Sequence, residues 1–120
     1  MKTENKTITQ YLPLTESTFY IMLSLVDVLH GYGIMQRVEQ VSMGTVRLGA
    51  GTLYGALQTL EKDKLIIMVK EEGRRKCYVL TDRGKQVLVG QIGRLEIMQF
   101  NARGVIERLN GDPLQSGKEI

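Results

Sequence analysis

The 120-residue chain has no tryptophan, one cysteine (Cys77), one histidine (His30) and two prolines. A single cysteine closes no disulfide within the chain, and one Cys with one His falls short of the four ligands of a structural zinc site. No metal and no cofactor is expected. Apolar residues make up 42% of the chain, enough for one small core, but no apolar run approaches the roughly 18 residues of a membrane span. Nor does a basic-then-apolar signal segment open it. These absences lead us to expect a cytoplasmic protein with no membrane partner. Neither a nucleophile elbow nor a phosphate-binding loop is present, so no catalytic residues and no enzyme are expected. Cys77 sits in an apolar, strand-like context and reads as a packed thiol rather than a sensor. His30, beside Gly31, reads as a local helix terminator rather than a base.

What is present begins with Gly51-Thr-Leu-Tyr-Gly-Ala-Leu57, followed by Leu60-Glu-Lys-Asp-Lys-Leu-Ile66 and Arg74-Arg-Lys-Cys-Tyr-Val-Leu-Thr-Asp-Arg-Gly84. Leu53, Ala56, Leu57 and Leu60 recur at i, i+3, i+4 and i+7, the apolar stripe of a helix. On a wheel of about 100° per residue, Gly51, Gly55, Gln58 and Lys62 fall opposite that stripe, with Thr52 and Tyr54 on the flanks. This outward face is small, polar and free of carboxylates near its start. Glycine lets a backbone approach a phosphate closely, and Thr, Tyr and Gln hydrogen-bond without charge repulsion. Gln58 is the best candidate for base readout, because a Gln amide can pair with adenine in a bidentate manner. The plain alternative is an ordinary solvated helix.

After Leu65 the period shortens toward 2. Residues 65–70 and 77–80 read as short strands around Glu71-Glu-Gly-Arg-Arg-Lys76, with Gly73 at the turn and Arg74, Arg75 and Lys76 at or just past the tip. A basic tip suits the sugar-phosphate backbone or the minor groove. In a merely solvated hairpin, Glu71 and Glu72 would offset most of that charge. Thr81-Asp82 reads as the N-cap of a further helix. Residues 45–85 hold nine Lys/Arg against five Asp/Glu, net +4, which leaves −1 for the rest of a chain whose total is +3. The excess positive charge therefore lies in the part expected to face a duplex. So small an excess favours a dimer over a single binding unit.

Leu88, Ile92, Leu95, Gln99, Ala102, Ile106 and Leu109 follow at alternating intervals of 4 and 3, an a/d seam with one polar member. The spacing predicts a dimerisation helix over 82–110; the alternative is that it packs back on its own domain. Gly90, Gly93 and Gly104 each cost up to about 1 kcal/mol there relative to Ala, and permit either close approach or a bend. Upstream, residues 1–13 read as an irregular arm ended by Pro13. Thr15 reads as the N-cap of a first helix with the stripe Phe19, Met22, Leu23, Val26 and Leu29. His30-Gly-Tyr-Gly33 breaks that pattern, and Ile34, Val38 and Val41 begin a second helix ending near Ser42-Met-Gly44. Thr45-Val-Arg-Leu48 is a candidate short strand. This order predicts a mostly α chain with a small β-hairpin (α+β): a winged helix-turn-helix domain over 14–81, a long C-terminal dimerisation helix over 82–110 and a loose tail over 111–120.

His30-Gly-Tyr-Gly-Ile34, Gly51-Thr-Leu-Tyr-Gly-Ala-Leu57, Leu60-Glu-Lys62 and Tyr78-Val-Leu-Thr-Asp-Arg-Gly84 resemble the signature of PadR-type transcriptional regulators, from about Leu14 to Leu95. The resemblance implies a bacterial, dimeric winged-helix repressor of the short form, with one C-terminal helix pairing across the dimer. It implies DNA contact by Thr52 and Tyr54 on the reader helix and by Arg74, Arg75 and Lys76 on the wing. The family often has Gly in the turn after the reader helix. Here Asp63-Lys64 takes that place, which leaves a left-handed cap there open. Some short-form members bind flat aromatic compounds between the paired helices. The lack of Trp excludes a Trp-lined site here, while Met98, Gln99, Phe100 and the first helix could line a cavity for a small aromatic effector.

The expected function is a homodimeric DNA-binding repressor acting on an inverted-repeat operator in double-stranded DNA. Its DNA-contacting residues are Thr52, Tyr54, Gly55, Gln58, Lys62, Arg74, Arg75 and Lys76. The rival is a winged-helix protein-interaction module, disfavoured by the basic wing and the acid-free start of the reader helix.

Overall fold

Thr15 starts the folded chain as expected, its hydroxyl oxygen accepting the Thr18 amide at 3.1 Å to cap α1 (Glu16–Ser24). The computed structural model describes residues 6–111, so all but Gly111 of the expected loose tail lies outside it. In chain order, α1 is followed by β1 (Leu29–His30), α2 (Gly31–Val41), α3 (Ala50–Lys62), β2 (Ile66–Glu72), β3 (Arg75–Leu80) and α4 (Asp82–Gly111). The three strands form an antiparallel sheet in the order β1-β3-β2. The core is one cluster in which Ile21, Met22 and Leu25 meet Ile34, Val38, Leu53 and Leu57, closed by Leu65, Ile66, Leu80 and Val87. Burial of this apolar surface is the main favourable contribution to folding.

Four local expectations need correction. The apolar stripe through Val26 and Leu29 does not prolong the first helix. Ser24 turns its hydroxyl back to the Tyr20 carbonyl at 2.9 Å, Leu25 ends the helix, and the Leu25 carbonyl accepts the Leu80 amide at 2.9 Å. Val26 is left exposed, and Leu29 pairs with Tyr78 as a strand residue. The third strand is thus Leu29–His30 and not Thr45–Leu48. The latter is held in a loop by Ser42, whose Oγ accepts the Val46 amide at 3.0 Å and whose carbonyl accepts the Thr45 hydroxyl at 2.7 Å. His30 does not terminate a helix: it is the N-cap of α2, which begins at Gly31, three residues before Ile34. The hairpin strands also run further than their apolar pattern, because Glu71 pairs with Lys76 and Glu72 with Arg75 across the ladder. Only Gly73 (φ +63°) and Arg74 remain in the turn.

The turn after α3 resolves the question left open by Asp63-Lys64. Lys64 takes up the left-handed conformation itself (φ +62°). The Leu65 amide donates to the Leu60 carbonyl at 2.9 Å and the Lys64 amide to the Glu61 carbonyl at 3.0 Å. These bonds, with Leu60 and Leu65 both buried, make a Schellman cap without glycine.

Thr81 then joins the pieces. Its amide donates to the Leu65 carbonyl at 3.0 Å, its hydroxyl donates to the Lys64 carbonyl at 2.7 Å, and its Oγ1 accepts the Gly84 amide at 3.0 Å to cap α4. Gly84 is required here, because a Cβ on it would run into the Leu65 carbonyl. The arm is ordered where described, with a 3-10 turn at Ile8–Tyr11. Leu12 packs against Gly90, where a Cβ would stand 2.9 Å from Leu12 Cδ1, a methyl that can shift aside. Gly93 and Gly104 face open space.

Two substitutions with opposite signs follow. Lys64→Gly should raise stability by about 1 kcal/mol, because it removes the cost of a side chain in left-handed backbone. Gly84→Ala should lower it by about 1–3 kcal/mol through overpacking against a carbonyl that cannot yield alone. Thermal unfolding followed by circular dichroism checks both, and a destabilised Lys64→Gly would refute the strain argument.

Candidate nucleic-acid interface

The buried residues of α3 are Leu53, Leu57 and Leu60, with Ala56 partly covered, as the period requires. Gly51, Thr52, Gly55, Gln58 and Lys62 are exposed, and nothing stands within 4 Å of where a Cβ would project from Gly51 or Gly55. Tyr54, 53% exposed, leaves the helix on the flank nearer the hairpin. There it lines a cleft of about 450 Å³ together with Arg74, Arg75, Lys76 and Tyr78 of the hairpin and His30, Gly31 and Tyr32 at the start of α2.

The structure therefore gathers four of the expected DNA-contacting residues, Tyr54, Arg74, Arg75 and Lys76, into one concave basic surface. Thr52, Gln58 and Lys62 are exposed on α3 outside that cleft. Gly55 lines a separate groove on the other flank, with Tyr11, Thr18 and Thr59. His30, Gly31, Tyr32 and Tyr78 were not assigned to the site from sequence. The His30-Gly-Tyr-Gly33 motif marks three of them, but its helical role is visible only once α2 is seen to begin at Gly31.

The geometry explains why Tyr54 occupies its flank. A Cβ on Gly31 would collide with the Tyr54 hydroxyl and stand 2.8 Å from its Cζ, so the phenol is seated directly on the first residue of α2. Beside it, Arg75 Nη1 lies 3.2 Å from His30 Nε2. Tyr78 is buried at the cleft floor, and that burial, ahead of the negative charge of Glu61, pushes its phenol above the usual range. Among the described residues, the ion pairs engage Arg37, Arg47, Lys70 and Lys85 but none of the cations at positions 74–76. Glu72 is paired with Lys70 at 3.1 Å, and its hydrogen bond and charge raise the Lys70 ammonium above its ordinary value. One of the two acids expected to offset the tip is thus committed elsewhere.

The seven seam residues divide. Leu88, 5% exposed, and Ile92 pack into their own domain, and buried Gln91 accepts the Leu14 amide at 2.8 Å. Leu95, Gln99, Ala102, Ile106 and Leu109 are exposed along the outer part of α4. Between that helix and α1, Phe19, Tyr20, Leu95 and Met98 line an apolar cleft of about 450 Å³ with Glu16 and Arg94 at its edge. Of the residues considered for a cavity, Met98 lines this cleft, whereas Gln99 and Phe100 do not.

A family model described as the transcriptional regulator PadR-like family matches residues 8–89. The chain belongs to the PadR-like family of transcriptional regulators. It is 29% identical over 100 residues to the transcriptional regulator YqjI of Escherichia coli, covering 78% of this chain and 48% of that protein. It is 40% identical over 74 residues to an uncharacterized 37.1 kDa protein in transposon TN4556 of Streptomyces fradiae, covering 61% of this chain and 21% of that one. The chain thus spans about half or less of the length of these curated relatives. Among solved structures, it is similar to a PadR-like transcription factor from Bacteroides fragilis, with a TM-score of 0.55, 26% identity and coverage of 78% of this chain and 88% of that one. The PadR-like match includes every residue of the cleft and stops within the first third of α4.

The Tyr54–Gly31 contact yields a double-mutant cycle. Gly31→Ala should destabilise the fold by about 1 kcal/mol or less, because the atoms it meets are the ring end of the half-exposed Tyr54, which can swing aside. Combined with Tyr54→Phe, which removes the colliding oxygen, it should cost less than the sum of the two single changes by at least about 0.5 kcal/mol. Chemical denaturation of the four proteins measures the coupling, and strict additivity would show that the two residues do not touch in solution.

Proposed function

We propose that this PadR-like protein is a homodimeric transcriptional repressor that binds an inverted-repeat operator in double-stranded DNA. The observation that carries the reading is the single cleft in which Tyr54 of α3 meets Arg74, Arg75 and Lys76 of the hairpin. A helix flank and a cationic hairpin sharing one concavity suit a duplex. The helix enters the major groove and the wing follows the phosphates, which position the protein without reading sequence. Thr52, Gly55, Gln58 and Lys62 lie on the exposed side of the same helix, where base edges would be met, and Gln58 is the adenine reader.

The dimer is supported by α4. Ile106 is 58% and Leu109 78% exposed on a helix whose described C-terminal portion has no neighbour to cover it. A second copy pairing through Leu95, Gln99, Ala102, Ile106 and Leu109 would remove that apolar surface from water. The two reader helices would then serve half-sites about 34–36 Å apart.

DNA from immediately upstream of the coding region, titrated against scrambled competitor over a salt series, tests the reading. The operator should outcompete the scramble. Arg74→Ala with Arg75→Ala should weaken both and reduce the log–log salt slope by roughly two. Gln58→Ala should instead narrow the gap between operator and scramble. Ile106→Glu with Leu109→Glu should shift sedimentation from dimer to monomer and abolish operator binding. Unaltered affinity in the arginine variant would remove the wing from the interface, and a dimer that survives the glutamates would remove the seam.

A further inference from the structure

Arg47 is a cation of the helix-turn-helix that belongs to neither the wing nor the reader helix. It stands in the loop between α2 and α3, two residues before Gly49, the N-cap of α3. Its backbone is fixed. Met43 (φ +56°) and Gly44 (φ +78°) turn the chain back at the end of α2, and the Gly44 amide donates to the Glu39 carbonyl at 2.8 Å. Buried Ser42 then holds Val46 twice, its Oγ accepting the Val46 amide at 3.0 Å and donating to the Val46 carbonyl at 3.2 Å. The Arg47 side chain, by contrast, is 73% exposed and makes no hydrogen bond among the described residues. It meets one acid, Glu39, through a single Nε–Oε2 contact of 3.4 Å. Both terminal nitrogens of the guanidinium are left over.

The surface that carries this pair runs back to the cleft. Tyr32, Gln36, Glu39 and Gln40 are exposed at i, i+4, i+7 and i+8, one side of α2. At the first turn, Tyr32 lines the cleft with Arg74, Arg75 and Lys76, and its hydroxyl accepts Gln36 Nε2 at 3.2 Å. At the last turn, Glu39 meets Arg47. The cationic hairpin thus stands at one end of this polar face and Arg47 at the other. Between them lie the 11 residues of α2, about 16 Å of helix. In a helix-turn-helix, the first helix crosses the sugar-phosphate backbone while the second enters the groove.

We propose that Arg47 is a further DNA contact, which exchanges Glu39 for a backbone phosphate beyond those met by the wing. The inference rests on the DNA reading proposed above. A guanidinium can bind phosphate through two parallel charge-assisted N–H bonds, a geometry that its one contact with Glu39 does not reach. An ion pair this exposed adds little to the free protein, so releasing it costs little. Because the Arg47 backbone is already held, contact restricts the side chain alone. Arg37, the other cation of α2, differs in being half-buried and hydrogen-bonded to Asp27 at 3.1 Å. A phosphate contact orients the reader helix without reading sequence, so its effect is common to every duplex.

The full chain, a short mixed-sequence duplex and fluorescence anisotropy over a salt series test this. Arg47→Ala should weaken binding roughly three- to tenfold and lower the log–log salt slope by about one. Lys85→Ala is the control, because Lys85 is also exposed and ion-paired, to Asp82 at 3.9 Å, but lies on α4 outside the cleft. It should leave the slope unchanged. Glu39→Gln should tighten binding, and its gain should be about twofold smaller in the Arg47→Ala background, where there is no pair to release.

An unchanged slope in Arg47→Ala overturns the proposal. So does an equal loss of slope in Lys85→Ala, which would be an effect of net charge, or an equal gain from Glu39→Gln in both backgrounds. If Arg74→Ala with Arg75→Ala weakens binding and Arg47→Ala does not, this inference alone fails. If the unaltered protein binds no duplex even at low salt, the DNA reading and this inference fail together.

Discussion

The structure depends on the junction at Thr81. Through its amide and hydroxyl, this one residue holds the carbonyls of Lys64 and Leu65 at the end of α3 and caps α4 through Gly84. The absence of a side chain at Gly84 lets the first turn of α4 rest on the Leu65 carbonyl. The end of α3, the hairpin and α4 are thereby referred to one point. The angle between them is set by short hydrogen bonds and by a contact with no slack, rather than by loop lengths. Any proposed spacing of two DNA-reading helices across a dimer inherits that angle.

The cleft is assembled by the same economy. Tyr54 belongs to α3, Arg74, Arg75 and Lys76 to the hairpin, and His30 and Gly31 to the entry of α2. Gly31 admits the phenol, and β1 brings His30 alongside Cys77, two residues beyond Arg75 in the wing strand. Histidine at an N-cap is an unusual choice where Ser, Thr, Asp or Asn would serve. Here its second nitrogen reaches the wing, which none of those shorter side chains offers.

Much of the plan was legible because it is periodic. The stripe of Leu53, Leu57 and Leu60 placed α3 correctly, Thr15 and Thr81 marked two helix starts, and Gly73 marked the hairpin turn. The winged-helix order and the PadR-like family were both readable from such signals together with a few fixed motifs. Misreadings came where a local pattern had two solutions. Val26 and Leu29 continue a helical stripe in sequence, yet Leu25 surrenders its carbonyl to Leu80, a residue 55 positions away, and the chain turns into the sheet. Lys64 lacks the glycine signature of a left-handed cap, yet Leu60 and Leu65 packing holds it there.

The sequence by itself determined the apolar face of α3, the existence of the hairpin and of the long last helix, and where the excess positive charge lies, because these follow from spacing and side-chain chemistry within a few residues. Only the tertiary structure decided which cations share a cleft with which tyrosine. It also decided that Leu88 and Ile92 belong to the domain core while the seam residues beyond them stay exposed, and that His30 faces Arg75. The reason is distance along the chain. Residues 30, 54 and 75 lie on three separate elements, and no local periodicity encodes a contact that exists only once a shared core has drawn those elements together.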